Sequence, residues 1–210
     1  FSYLKKYIYI STPEIFGSSN KKIKENNNFF NPSTPYATSK LTAELLLKNY
    51  YKSFKAPVII ARFANFYGPN QPLNRLIPKT IFCINNNKKF PLDGKGDSTR
   101  GYVYSYDFCN GIYKIIKKGK IGDTYHFSQK NFYSVLNVIK IICKLKKYSL
   151  KKLITFKKDR VGKDKCYKLD TTNSFKFLNW SNKYSLKEGI KELIREHNKN
   201  NQKYSKLFGK

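Results

Sequence analysis

YIYISTPEIFG, residues 7–17, opens as an apolar, β-branched run and breaks abruptly into Ser11, Thr12, Pro13 and Glu14. A near-continuous apolar run suits a parallel strand covered on both faces, and the pattern predicts a strand over Tyr3 to Ile10. Downstream, STPYATSKLTAELLLKNYYKSF supplies a helix start, with Thr34 as N-cap and Pro35 at the first helical position. Ala37, Leu41 and Leu45 recur at four-residue spacing and predict its inward face, with the helix reaching about Lys52. APVIIARF, Ala56 to Phe63, reads as a second buried strand, closed by the Gly and Pro of ANFYGPNQP. Strand, loop, helix, strand is a βαβ crossover, which requires a parallel sheet and so an α/β domain.

Outward from this unit the elements shorten. Residues 17–33 are polar and patternless and read as a loop. NRLIPKTIFCINNNKK predicts a helix, followed by a strand near Lys89 to Leu92, a turn at DGKGDS and a strand at Tyr102 to Tyr104. A helix over Asp107 to Lys117 and a short strand in DTYHFS come next. Ser134 to Lys146 reads as an amphipathic helix with Val135, Val138, Ile139 and Ile142 on one face. The last helix starts at Ser185, where Glu188 three residues on completes a capping box, and buries Leu186, Ile190, Leu193 and Ile194.

At 210 residues the chain can bury a substantial core. Lys and Arg total 42 against 13 Asp and Glu, a formal charge of +29. The lysines are spread over ordinary amphipathic segments and no nucleic-acid module accompanies them, so neither nucleic acid nor membrane is the expected partner. The positive field favours an anionic substrate. Cys83, Cys109, Cys143 and Cys166 form no C-x-x-C pair, which argues against a zinc site or disulfide scaffold and for reduced thiols in the cytoplasm. No apolar run approaches the roughly 20 residues that cross a bilayer. The chain contains no methionine and opens on Phe1 almost within a strand, so it is expected to be a piece of a longer protein.

Ligands of open parallel sheets bind beyond the carboxyl ends of the strands. Thr12 and Glu14 lie just past one such end, and Asn65 and Tyr67 just past another. The intervening helix carries Tyr36 and Lys40, four residues apart and so on one face. A tyrosine that must ionise near neutral pH needs a cation close by, because its ordinary pKa is about 10. Lys40 can supply that charge, and Thr12 can share a substrate oxygen with Tyr36, which makes the set a proton-transfer device. Tyr-x-x-x-Lys alone is weak, since chance matches on helices are common. The ordered set is specific: strand-Ser-Thr-x-Glu, Ser-Thr-Pro-Tyr-x-x-x-Lys, then strand-Arg-x-x-Asn-x-Tyr-Gly-Pro.

In this order of motifs the sequence resembles the extended short-chain dehydrogenase/reductases that modify nucleotide sugars, and within them the dTDP-glucose 4,6-dehydratases. The resemblance runs from ISTPEIFG through PSTPYATSK, RFANFYGP, RLIPKTI, DGKGDSTRGYVYSYD and GDTYHFS to DRVGKDKCYKLD and LNW. It implies the C-terminal part of a Rossmann-like doubly wound parallel sheet over 1–68. A smaller α/β substrate-binding domain follows over 69–210, with segments near 102–118 returning to the first. It further implies NAD as cofactor, a nucleotide-sugar substrate and a homodimer formed through the helix of Leu41 and Leu45 with the following one. The family's Gly-rich pyrophosphate loop is expected in a preceding segment.

Carried over residue by residue, Tyr36 would take the C4 hydroxyl proton, and Lys40 would lower its pKa and hold the nicotinamide ribose. Thr12 would bind the same oxygen and Glu14 would remove the C5 hydrogen. Asn65 resembles the residue that contacts the diphosphate. Arg75, Arg100 and Arg160 fall where basic residues engage the nucleotide, and Tyr67 lies toward the nicotinamide. His126 and His197 read as incidental, and Trp180 as core. The departure is Pro13, where the dehydratases carry an aspartate that protonates the departing hydroxyl. A UDP-glucuronate decarboxylase or a nucleotide-sugar 4-epimerase of the same family therefore stays open. So does a reading outside enzymes, as an inert fragment or basic binding protein.

Overall fold

The computed structural model describes residues 3–159, 162 and 164–199. In chain order its elements begin with β1 (Tyr7–Ser11), a 3-10 turn (Pro13–Phe16), β2 (Lys22–Ile23), α1 (Pro35–Phe54), β3 (Val58–Phe63) and β4 (Asn65–Tyr67). Next come α2 (Leu76–Asn85), β5 (Phe90–Asp93), β6 (Thr99–Arg100), β7 (Tyr102–Tyr104), α3 (Ser105–Lys118) and β8 (Thr124–Phe127). The chain finishes with β9 (Tyr133–Ser134), α4 (Val135–Leu145), α5 (Leu150–Leu153), β10 (Ile154–Lys157), β11 (Lys168–Leu169), α6 (Thr172–Leu178) and α7 (Leu186–Lys199).

β1, β3 and β8 form a parallel sheet in that order. All six residues of β3 are buried, which is what a strand covered on both faces requires. The register sets Ser11 beside Arg62 and Arg62 beside His126, so three polar side chains form one row near the carboxyl end of the sheet. The crossover helix α1 starts as its sequence directs. Thr34 accepts a hydrogen bond from the Ala37 amide at 3.1 Å, and Pro35 occupies the first turn, where its missing N–H costs nothing. The helix stops at Lys55, which adopts a left-handed φ of 53° and returns its amide to Tyr51 at 3.0 Å.

Two large apolar clusters flank this frame. One packs Ile59, Ala61 and Phe63 of β3 against Val103, Ile115, Phe127 and Trp180. Trp180 is core, as expected, and donates its indole N–H to the Asp107 carbonyl at 3.0 Å. The other joins α2, α4 and α7 through Ile77, Ile81, Val138, Ile139, Ile142, Leu186, Ile190 and Leu193. Tyr102 and Tyr104 belong to this second cluster while Val103 between them belongs to the first, so β7 stitches the two together. The capping box of α7 forms in both directions: Ser185 N–H to Glu188 at 2.8 Å, and Glu188 N–H to the Ser185 hydroxyl at 3.3 Å.

Three expectations are corrected. β1 begins at Tyr7, not Tyr3, because Lys6 instead reaches the last turn of α3 and donates to the Ile115 and Ile116 carbonyls at 3.2 and 2.8 Å. The inward stripe of α1 is Ala37 and Glu44, with Leu41 half-buried and Leu45 exposed. The cause is Arg62, which sits fully buried on β3 and draws Glu44 into a forked ion pair, with contacts of 3.0, 3.2 and 2.6 Å. Within the polar 17–33 segment, Lys22–Ile23 pairs as a parallel strand with Lys168–Leu169, a partner far along the chain.

Candidate active site

The break in YIYISTPEIFG is a helical turn aimed across the end of the sheet. Thr12 caps the 3-10 turn, its hydroxyl accepting from the Glu14 amide at 3.3 Å, and Pro13 takes the first position inside it. Proline suits that place because no donor is needed there and its fixed φ matches the turn. The turn closes on Gly17 at φ +65°, where an added Cβ would stand 2.4 Å from the Asn31 carbonyl oxygen, so only glycine fits. Pro13 therefore has a structural reason of its own, whatever acid it displaces.

The turn, the end of β1, the start of α1, β4 and the residues before α2 enclose a cavity of about 270 Å³. Its wall brings together Thr12, Glu14, Tyr36, Lys40, Asn65 and Arg75 from four separate stretches of sequence. Thr12 is 7% exposed and Tyr36 53%, so the phenol is the part open to an incoming ligand. Burial pushes the Glu14 carboxyl above its ordinary range, against the pull of the Arg100 and Arg75 guanidiniums; Asp164 adds to the rise. Tyr36 is raised too, first by burial and then by the facing Glu14 carboxylate, while Arg75 lowers it. Burial raises both groups and the Glu14 carboxylate adds to the rise of Tyr36, so Glu14 holds its proton to higher pH than an ordinary carboxylate, while the phenol needs a nearby cation to ionise.

Lys40 is placed differently from its expected role toward Tyr36. Its ammonium donates to the Ile10 carbonyl at 2.7 Å and lies 4.7 Å from the Tyr9 ring centroid. Among the described residues the cation that lowers Tyr36 is Arg75. Lys40 retains two further N–H donors beside the cavity. At the cavity wall the Ser11 hydroxyl is buried without a partner among the described residues, an orphan that a bound hydroxyl would satisfy. An orphaned hydroxyl, a lysine with donors to spare and an exposed phenol fit the ribose end of a nicotinamide cofactor.

The other expected residues divide. Asn65 stands exposed at the start of β4, its amide oxygen accepting from the Tyr167 hydroxyl at 3.0 Å. Arg75 lines the cavity at the N-cap of α2 without making a capping bond. Arg100 stands off the cavity wall, stacked 4.2 Å over the Tyr167 ring, with donors on the carbonyls of Thr99, Lys165 and Asp164. Tyr67 presents only its ring; the hydroxyl turns into the core and donates to the Leu186 carbonyl at 3.1 Å, so a polar contact from it to a cofactor is not what this geometry provides. Arg160 lies outside the described residues. His126 is fully buried, its ring 3.1 Å from the Arg62 guanidinium, and burial pushes its pKa down to about 3, which keeps it neutral. Ser11, Glu44, Arg62 and Tyr167 were assigned no role from the sequence. Glu44 carries a readable signal, because it follows Lys40 by four residues and Tyr36 by eight on one stripe of α1.

Comparison with known proteins follows the same lines. The family model described as GDP-mannose 4,6 dehydratase matches residues 3–193. The dTDP-D-glucose 4,6-dehydratase of Dictyostelium discoideum is 43% identical over 150 residues, covering 66% of this chain and 35% of the relative. That of Bos taurus is 33% identical over 202 residues, covering 94% and 57%. Among solved structures, the dTDP-glucose 4,6-dehydratase of Bacillus anthracis in complex with NAD superposes with a TM-score of 0.87 at 29% identity. It covers 94% of this chain and 63% of that one. The UDP-glucuronic acid 4-epimerase of Bacillus cereus with UDP-glucuronic acid and NAD gives 0.86 at 27%, covering 92% and 62%. The chain thus spans between about a third and three-fifths of the curated dTDP-glucose dehydratases it matches. With the family match running nearly end to end, and with the strand-turn, Tyr-x-x-x-Lys helix and second strand end meeting around one cavity, the chain belongs to the GDP-mannose 4,6-dehydratase family of extended short-chain dehydrogenase/reductases.

Proposed function

We propose that the protein is an NAD-dependent nucleotide-sugar 4,6-dehydratase acting on dTDP-glucose or a close analogue. The observation that carries this is the convergence of Thr12, Glu14, Tyr36 and Lys40 on one cavity, with the Glu14 carboxyl raised by burial. NAD, when bound, supplies the acceptor for the C4 hydrogen and later the donor for C6. Tyr36 takes the C4 hydroxyl proton while Thr12, whose oxygen already accepts from the Glu14 amide, donates its own hydrogen to the same sugar oxygen. The resulting 4-keto group acidifies C5, and Glu14 removes that proton. Pro13 offers no proton for the departing C6 hydroxyl, so Glu14 passes on the one it has just taken and water leaves; Glu14, reprotonated from solvent, then delivers a proton to C5 as C6 is reduced. Asn65 and Arg75 face the nucleotide diphosphate. Lys40 and Ser11 hold the ribose beside Tyr36.

Pro13 favours one second reading. Without the aspartate, the same C4 oxidation serves a decarboxylase or a 4-epimerase, which need no acid at C6. The discriminating experiment gives the intact protein NAD with dTDP-glucose or, separately, UDP-glucuronic acid. A 4-keto-6-deoxy product from the first supports dehydration. Carbon dioxide release or C4 inversion with the second, and no product with the first, replaces it.

The intact enzyme is read as a homodimer, because α1 exposes Leu46, Tyr50 and Phe54 along one flank. Sedimentation at micromolar concentration tests that. Its four free thiols, three of them buried, support a reducing cytoplasmic setting. Among the described residues no helix is long and apolar enough to cross a membrane.

A further inference from the structure

We propose that Tyr167 is a positioning residue for the nucleotide end of the site, fixing the Asn65 amide so that its NH2 group faces a diphosphate and carrying the Arg100 guanidinium on its ring. This rests on the nucleotide-sugar reading given above. Tyr167 is 3% exposed and does not border the cavity, so it touches no ligand itself. It is held beside β6 by the bridge that pairs Thr99 with Cys166. From there it acts in two directions. Its hydroxyl donates to the Asn65 amide oxygen at 3.0 Å. Its ring lies 4.2 Å under the Arg100 guanidinium, which the carbonyls of Thr99, Lys165 and Asp164 lock in plane at 2.9, 3.2 and 2.6 Å.

An asparagine amide has an accepting end and a donating end, and an anion is served by only one of them. With the oxygen engaged by Tyr167, both Nδ2 hydrogens are left for the cavity that Asn65 lines. Flipped, the amide would turn its oxygen on the phosphate. Burial holds the Tyr167 phenol well above its ordinary range, so it remains a hydroxyl donor at neutral pH. Arg100, three of its donors already on carbonyls, contributes less as a fork than as a fixed positive charge behind Asn65.

The test removes one oxygen. Tyr167→Phe keeps the ring and its stack on Arg100 while freeing the Asn65 amide. For the intact protein, the Kd of dTDP is expected to rise about tenfold, equivalent to about 1.4 kcal/mol, and KM for the nucleotide sugar to rise with it while kcat stays within about twofold. Thymidine, which lacks the diphosphate, should bind the variant and the wild type alike. Asn65→Ala alone should cost a similar factor, and Tyr167→Phe combined with Asn65→Ala no more than Asn65→Ala alone. Unchanged dTDP binding in Tyr167→Phe overturns the proposal. So do additive effects in the double variant, or an equal loss for thymidine, which marks a merely structural role. A wild-type protein that binds neither dTDP nor UDP refutes the nucleotide-sugar reading itself, and this inference with it.

Discussion

Arg62→Met breaks the ion pair that holds α1 to the sheet, and its cost can be worked from the burial. Arg62 and Glu44 are both fully buried, joined at 3.0, 3.2 and 2.6 Å, and Arg62 also reaches the Glu25 carbonyl at 3.4 Å. Removing Arg62 leaves the Glu44 carboxylate buried without its hydrogen-bonded partner, with Lys48 acting on it only from beyond ion-pair contact, a loss of ~3–5 kcal/mol. For a chain of this length, each kcal/mol moves the melting temperature by ~2–4 °C, so the variant should melt ~6–20 °C lower. Replacing both partners together, Arg62→Met with Glu44→Leu, removes the orphan and should recover most of that loss, since apolar replacements of buried pairs are near neutral. Denaturant unfolding of the four proteins in the cycle reads this directly. A single-variant loss below ~1 kcal/mol would mean the pair is solvated in solution, and an additive double variant would show that the two residues do not stabilise one another. The same cycle bears on the site, because Glu44, Lys40 and Tyr36 share one stripe of α1.

Glu25 is buried beside this pair with one carboxylate oxygen unpartnered among the described residues, and burial raises its pKa to about 7 from 4.5. A folded-state pKa above the unfolded one means that the folded form binds more protons between those values, so its contribution is complete below about 4.5 and is lost as pH rises through about 7. Glu25→Gln should therefore gain stability relative to wild type as pH rises from 5 to 8; a difference that is flat with pH refutes this. Tyr67→Phe removes the bond to the Leu186 carbonyl and should cost ~0.5–1.5 kcal/mol of stability while leaving the Kd for NAD unchanged. A weakened NAD complex would put that hydroxyl in the cofactor site. Gly17→Ala should destabilise the 3-10 turn and lower activity through Glu14, because alanine is strained at φ +65° and its Cβ meets the Asn31 carbonyl. A variant as stable and active as wild type would refute the fit of that turn.

What was legible in the sequence is local. The β-branched runs before Ser11 and Phe63, the Thr34–Pro35 start of α1 and the Ser185/Glu188 box each carry their own signal, and each formed. What was not legible depends on partners distant in the chain. Periodicity counted Leu45 as inward because it weighs apolar spacing and has no means of seeing a buried arginine eighteen residues on from Glu44. Lys22–Ile23 is a strand only because Lys168–Leu169 lies beside it. The site itself was read as a set of residue types in order, which located Thr12, Glu14, Tyr36, Lys40, Asn65 and Arg75 on one cavity. The direction of each side chain was beyond that reading: Lys40 turned to the Ile10 carbonyl, the Tyr67 hydroxyl to Leu186, and Arg100 to a tyrosine ring. Pro13 looked like a lost acid from the sequence and proves also to be a well-fitted first residue of the turn that aims Glu14.

The measurement closest to the centre of this account follows C5 of the sugar. Incubated with dTDP-glucose and NAD in deuterated water, the intact wild-type protein should form a 4-keto-6-deoxy product carrying solvent deuterium at C5. Glu14→Gln should form no such product and should leave the C5 hydrogen of the substrate unexchanged. Product formation by Glu14→Gln at the wild-type rate, or a wild-type product with no deuterium at C5, would contradict the assignment of Glu14 as the group that opens and closes that position.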